Sequence, residues 1–420
     1  MSSTSRSQSA QNYCDSHEIT WNNHIDHTDI SIIMKVIMVK GPIVIDIIGR
    51  INIIGAYYKN QKIRWDQHKV LPIEFEDSTE IRFIGKTTSI FATHNLRYSS
   101  LRLGTRIWDP IFSDIMHQKG DVILILGSSN SGKSSFSLFL VNKFIKLGLR
   151  TLLIDGDIGQ GDLAPPTCIG SSIINKQTYD ISLIESERIC FVGDTQPSGH
   201  FISIITSIHK LLKKSRDFDK CIINTDGFVT GKGVSYKFKL AQTLHPDLII
   251  YMGNDATKER LKAMTKVQRN YPPSWLTCKN PSALVKRSKH ERYLKRLDTY
   301  YRFFKKCKIY KLNLDMSELT RSQIMEKNHI NKLGQTNMRN MQLNLRNCQN
   351  HIKLKVMINN LKDGQFVGLG KSSSNGLING FGIINVLENK RFHLYCTSRN
   401  FDCIYLSNII LKGMKERLLY

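Results

Sequence analysis

One eight-residue run limits what this chain can fold into more than any other feature of its 420 residues. Gly127-Ser128-Ser129-Asn130-Ser131-Gly132-Lys133-Ser134 fits the pattern GxxxxGK[ST], and Ser135 follows it. Its flanks matter as much as the run. Asp121 to Leu126 reads as a buried strand, and Ser134 to Leu147 sets Phe136, Phe139, Leu140, Phe144 and Ile145 at helical spacing. Glycines let successive backbone N–H groups curl around phosphate oxygens, and the N-terminus of the following helix adds partial positive charge. In that geometry Gly127 to Ser135 would cradle the phosphates of a nucleotide, Lys133 would reach the β- and γ-phosphates, and Ser134 would ligate Mg²⁺.

The surrounding texture agrees with a strand–loop–helix unit repeated along the chain. Val122–Leu126, Thr151–Ile154, Ile189–Val192, Cys221–Asn224 and Leu248–Tyr251 are short apolar runs separated by helix-length segments. Such runs belong to a parallel sheet covered on both faces. The fold class expected is therefore α/β: a P-loop NTPase parallel sheet with helices on both faces, flanked by small N-terminal and C-terminal β domains. Residues 1–30, rich in Ser, Gln, Asn and His, predict a disordered tail. His24 and His27 in that tail lack a third metal ligand and read as solvated. Residues 31–97, with β-branched runs punctuated by Gly49 and Gly55, predict an N-terminal β domain. The phosphate-loop domain takes 98–310, and 311–420 predict a C-terminal β domain with a basic insertion near 331–355.

Charge narrows the partners. Sixty Lys+Arg against 35 Asp+Glu leave a net charge of +25, which points to an acidic partner, a nucleic acid or an anionic membrane surface. The most apolar early stretch, Ile30 to Tyr58, is broken by Lys35, Lys40, Asp46 and Arg50, so no membrane partner is expected. Nine cysteines without a CxxC pair indicate neither a disulfide framework nor a zinc knuckle. The excess of positive charge concentrates at 281–310, with ten Lys/Arg against two acidic residues, and at 331–355, with five against none.

A phosphate loop needs acidic groups on a neighbouring strand. Leu152-Leu153-Ile154-Asp155-Gly156-Asp157 supplies a hydrophobic strand ending in DxD. Carboxylates there would hold Mg²⁺ and accept a proton from an attacking hydroxyl. Either Asp155 or Asp157 would do this chemistry, with the other capping the turn that follows. The run continues through Gly159 and Gln160 to Pro165-Pro166 and resembles the DxDxGQ…PP segment of the polynucleotide 5′-hydroxyl kinases, P-loop kinases of RNA processing. Three further segments are similar, in order. Phe191 to His200 resembles the family's FVG-x-T-x-P-x-G-H segment, Asn224-Thr225-Asp226-Gly227-Phe228 its clasp, and Arg292 to Arg296 its RxxxR lid. Two departures stand out: Phe228 replaces the more usual Trp or Tyr, and Thr167 follows the two prolines where the family has glycine.

The resemblance implies an ATP- and Mg²⁺-dependent enzyme that phosphorylates the 5′-hydroxyl of RNA and, by extension, DNA. It implies catalytic roles for Lys133, Asp155, Asp157, Arg292 and Arg296, and Mg²⁺ held by Ser134 and Asp157. Acceptor and clasp contacts would come from Gln160, Thr225, Gly227 and Phe228, with the aromatic ring stacking on a terminal base. Family members act in tRNA splicing, mRNA 3′-end formation and pre-rRNA processing, which implies RNA-processing protein partners. The compartment implied is the cytoplasm, or the nucleus or nucleolus in a eukaryote. A different reading keeps the nucleotide and loses turnover: an ATP-bound scaffold subunit of an RNA-processing complex. A GTPase is disfavoured, since no NKxD-type segment follows.

Overall fold

The computed structural model describes residues 34–65, 70–76, 78–84, 89–96, 105–253, 256–267, 272–280, 287–315, 342–344, 361–374, 376–387, 391–412 and 415–418. The tail at 1–30 with His24 and His27, and all of 331–355 except 342–344, lie outside them. The chain divides into two units, Met1–Ile53 with Tyr57–Leu101 and Ile54–Ala56 with Arg102–Tyr420.

The strands of the first region form two antiparallel sheets. They are β1 (Met34–Lys40), β2 (Ile43–Ile48), β3 (Arg50–Ile53), β4 (Ala56–Lys59), β5 (Lys62–Trp65), β6 (Val70–Glu76), β7 (Glu80–Ile84) and β8 (Ser89–Leu96). One sheet runs β4-β3-β6-β1-β8 and the other β5-β2-β7. In β2 the period of two is plain: Ile43, Ile45 and Ile47 are buried while Ile48 is exposed.

In the second unit α1 (Asp109–His117) precedes β9 (Val122–Gly127), α2 (Lys133–Lys146), β10 (Thr151–Gly156), β11 (Cys168–Ile174), β12 (Arg188–Phe191) and α3 (Phe201–Lys214). Then follow β13 (Lys220–Thr225), α4 (Lys232–Leu244), β14 (Leu248–Met252), α5 (Ala256–Val267), β15 (Ser274–Cys278) and α6 (Lys289–Lys305). Five strands, β15-β14-β9-β13-β10, pair in parallel. Residues of both parities along β9 are buried, Ile123 and Ile125 as well as Leu124 and Leu126, so both faces are covered. Leu124, Leu126, Leu152 and Ile154 share a core with Ile204, Ile208 and Leu211 of α3 and Leu240 of α4. The apolar stripe of α3 repeats every three or four residues, which is why this segment coils and buries one side. This α/β sheet is the one expected.

The run Ile189–Val192 does not extend the parallel set directly. β11 inserts between β10 and β12 and is antiparallel to both. Its sequence, Cys-Ile-Gly-Ser-Ser-Ile-Ile, is interrupted by Gly and two Ser, and so gave no apolar run to read. Beyond β12 the sheet continues through Ile189↔Ile378 and Cys190↔Leu377 into the C-terminal strands. These are β16 (Tyr310–Asp315), β17 (Gln342–Asn344), β18 (Gln365–Gly370), β19 (Leu377–Val386), β20 (Arg391–Cys396), β21 (Cys403–Lys412) and β22 (Lys415–Leu418). Helix α6 packs there through Tyr300 on Phe366 at 5.1 Å and Phe304 on Phe381 at 5.0 Å, both edge-on. No helix among the described residues is long and apolar enough to cross a membrane.

Candidate active site

The phosphate loop springs from the carboxyl end of β9 and turns into α2 at Gly132, whose φ of +91° suits glycine. Ser128 and Ser129 at its tip are exposed, Asn130, Ser134 and Ser135 are half-buried, and Ser131 is buried. Lys133 folds back along the loop and donates from Nζ to Gly127 O at 2.8 Å and Ser128 O at 2.6 Å. Burial lowers its pKa to about 8; Lys237 pushes the same way, and Asp157 and Asp226 oppose it. A buried ammonium held by two carbonyls and, at 3.4 Å, by the Ser131 hydroxyl has no carboxylate bonded to it among the described residues and is ready to take a phosphate oxygen.

Strand register brings the next groups alongside. Pairing of β10 with β13 sets Asp155 beside Asn224 and Gly156 beside Thr225. Asp155 is buried; its Oδ2 accepts from Asp162 N at 2.7 Å, and its Oδ1 from Asn224 Nδ2 at 2.9 Å. Burial first, then the nearby Asp162 and Asp157, raise its pKa. Asn224 Nδ2 also donates to Ser134 Oγ at 3.2 Å, so one amide ties the phosphate loop to the DxD turn. Asp157 is half-buried, and its Oδ1 accepts from Gly159 N and Gln160 N at 3.1 and 2.9 Å. Among the described residues its second oxygen has no protein partner. Mg²⁺ fits this corner on two grounds. Asn224 Oδ1 is buried without a partner, and three carboxylates crowd together in a way a cation would relieve.

The clasp follows β13. Thr225 does not face the phosphates as expected: it is buried and its hydroxyl donates to Ile125 O at 2.8 Å, so it braces β13 against β9. Gly227 is where clasp and loop meet, since a Cβ there would come within 2.3 Å of Ser129 Oγ and 2.5 Å of Ser129 N. No other residue fits that approach. Phe228 is half-buried, with Phe201 stacked against it at 5.8 Å. One face of the ring is therefore taken before any base arrives.

The basic segment supplies α6, whose start is fixed by a capping box of Ser288 and Glu291. The helix is docked. Lys295 Nζ donates to Gln160 O and to Asp162 Oδ2, and Arg302 Nη2 to Asp162 O at 2.6 Å. Arg296, expected over the transferring phosphate, instead bonds Glu416 of β22 at 2.6 Å. It reaches there because it sits one helical turn before Tyr300, which packs on Phe366 of the C-terminal strands. Among the described residues the Arg292 guanidinium has no partner, while its backbone O accepts from Gln160 Nε2 at 3.1 Å. Gln160 thus links DxD turn and lid, and its Oε1 is buried without a partner. Arg287 was missed by motif reading because it precedes the RxxxR spacing. Its carbonyl accepts from Asn130 Nδ2 of the loop at 3.2 Å, and its Nη1 is buried and unpartnered. Asn224 was visible in the clasp run, but nothing in its type announced a bridge.

Thr167, the departure from glycine after Pro165-Pro166, adopts φ +79°. Its carbonyl accepts from Val192 N and Gly193 N at 2.9 and 3.1 Å, which holds a β-branched residue in a conformation it seldom takes.

Residues 127–306 match the family described as mRNA cleavage and polyadenylation factor CLP1 P-loop. The chain is 26% identical over 199 residues to a polyribonucleotide 5′-hydroxyl-kinase of Pyrococcus horikoshii, covering 47% of this chain and 54% of that one. A polyribonucleotide 5′-hydroxyl-kinase of Methanocaldococcus jannaschii is 28% identical over 204 residues, 47% and 54% of the two chains. The polynucleotide 5′-hydroxyl-kinase NOL9 of Bos taurus is 23% identical over 193 residues, 43% and 28%. The match spans about half the length of the archaeal relatives. Among solved structures, Clp1p in a wild-type Clp1p–Pcf11p complex superposes with a TM-score of 0.67 at 12% identity, covering 94% of this chain and 98% of that one. That likeness is one of fold. In sequence, the domain carrying the phosphate loop is therefore similar to the Clp1 P-loop family and to polynucleotide 5′-hydroxyl kinases, and its fold is like that of the Clp1p complex structure.

Proposed function

We propose that this protein is an ATP-dependent polynucleotide 5′-hydroxyl kinase that transfers the γ-phosphate to the 5′-hydroxyl of RNA, and of DNA where it fits the same groove. The observation that carries this reading is the Asn224 bridge: one amide holds the phosphate-loop Ser134 and the DxD Asp155 together, with Asp157 one step outward. A nucleotide held by Gly127 to Ser135 would present its γ-phosphate to Asp157. The partnerless oxygen of Asp157 would orient the acceptor hydroxyl and take its proton as the new O–P bond forms and the bond to the β-phosphate oxygen breaks. Ser134, Asp155 and Asn224 line the cation side, and Mg²⁺ when bound neutralises the charge growing on the phosphates. Arg287 and Arg292 supply cationic planes from the lid, the geometry that suits phosphate. Phe228 offers its remaining face to a terminal base.

The assay uses γ-labelled ATP, Mg²⁺ and a 5′-hydroxyl oligoribonucleotide, with an oligodeoxyribonucleotide in parallel. Transfer by the native chain and a loss of at least about 100-fold in Lys133→Ala are expected, since one preorganised phosphate contact contributes on that order. Binding of ATP without transfer would favour the scaffold reading.

A further inference from the structure

Behind the clasp lies a charged pair that the chemistry above leaves without a task. Lys237 of α4 is wholly buried, and its Nζ donates to Asp226 Oδ2 at 2.9 Å while lying 4.3 Å from the Tyr236 ring centroid. Tyr236 Oη donates to the same oxygen at 2.8 Å. The other oxygen, Oδ1, accepts from Phe228 N at 2.9 Å. Between Asp226 and Phe228 sits Gly227, pressed on Ser129 at the tip of the phosphate loop. A mechanical path therefore runs from α4 through one carboxylate to the loop.

Stability alone is a poor account of this pair. Apolar residues of similar volume usually do as well, because desolvating two charges offsets their attraction. Burial pushes the Lys237 pKa down, with Asp226 the main group opposing it. What apolar residues cannot do is fix a carboxylate from three directions and so fix the peptide it carries.

We propose that Asp226 and Lys237 are positioning residues that hold the clasp glycine against the tip of the phosphate loop and thereby set its affinity for the nucleotide's phosphates. The inference rests on the nucleotide-binding reading of the loop. Neither side chain touches ligand; both act through Gly227 and Ser129.

The test measures equilibrium binding of ATP, with the binding-competent fraction determined by stoichiometry, and KM for ATP against kcat. Asp226→Ala and Lys237→Met should raise the Kd and KM for ATP at least tenfold with kcat changed less than threefold. The double variant D226N/K237M removes both charges but keeps an acceptor for Phe228 N, and should return the Kd to within about threefold of the native value. Tyr236→Phe, which spares the pair, should give an intermediate increase. Should the single variants fold poorly, the double variant and Tyr236→Phe still decide. An unchanged Kd in a reduced competent fraction, or a double variant no better than the singles, would overturn the inference. Native chain that fails to bind ATP overturns the nucleotide-binding reading itself, and the inference falls with it.

Discussion

Asp155 shows how a single residue can trade stability for chemistry. Its raised pKa means that the folded protein holds a proton the unfolded chain has already released. Between the two pKa values the unfolded state binds fewer protons, so stability falls as pH rises through that window and stays lower above it. Asp155→Asn removes the charge. Its carbonyl can still accept from Asp162 N, and Asn224 can turn its partnerless Oδ1 toward the new amide. Denaturant melts at neutral pH should therefore show Asp155→Asn more stable than the native chain, while phosphate transfer is lost. Lys133 works with the opposite sign. Its pKa of about 8 in the free protein makes the ammonium, the form that binds phosphate, scarce above that pH. Titrating ATP binding from pH 7.5 to 9.5 should show affinity falling beyond about 8, and Lys133→Arg should flatten that limb because a guanidinium stays charged.

At the scale of elements, the lid helix is where motif reading and structure part. RxxxR spacing places Arg292 and Arg296 about one turn apart, and spacing alone assigns both the same task. Packing separates them: Arg296 is anchored to Glu416, whose side chain is only 3% exposed, and whose pKa burial raises despite the arginine. Removing one member of a buried pair strands the other, at a cost of roughly 3–5 kcal/mol. Urea melts should therefore show Arg296→Ala strongly destabilised, and R296M/E416Q restored to near the native value. Arg292→Ala, without such a partner, should leave stability within about 0.5 kcal/mol and fall in turnover instead. The sheet, the phosphate loop and the DxD turn were legible because each rests on a local pattern: an apolar run, glycine spacing, a carboxylate after a strand. The Asn224 bridge, the bracing role of Thr225 and the Glu416 anchor were not, because each depends on strand register or on a residue more than 65 positions away.

For the molecule as a whole, the net charge of +25 becomes a statement about salt. Part of the excess is spent internally: Lys237, Lys295 and Arg296 are paired with Asp226, Asp162 and Glu416. Another part stands in water along and just after α6, where Lys289, Lys305, Lys306 and Lys308 are exposed. Paired buried cations contribute little to long-range attraction, whereas exposed ones attract a polyanion and are screened beyond about 10 Å at 0.1 M salt. RNA binding should then weaken with salt along a straight line in log–log form, with a slope of about −0.7 for each phosphate neutralised on a single strand. Equilibrium binding of a 5′-hydroxyl oligoribonucleotide between 50 and 300 mM salt measures it. Replacing Lys305, Lys306 and Lys308 together by Gln should flatten the slope by about 1–2 units while leaving ATP affinity unchanged, because those side chains are exposed at the carboxyl end of α6 and, among the described residues, bond none of the phosphate loop. An unaltered slope in that triple variant would mean that the polynucleotide crosses the rim elsewhere, and that this end of α6 is solvated charge with no phosphate to meet.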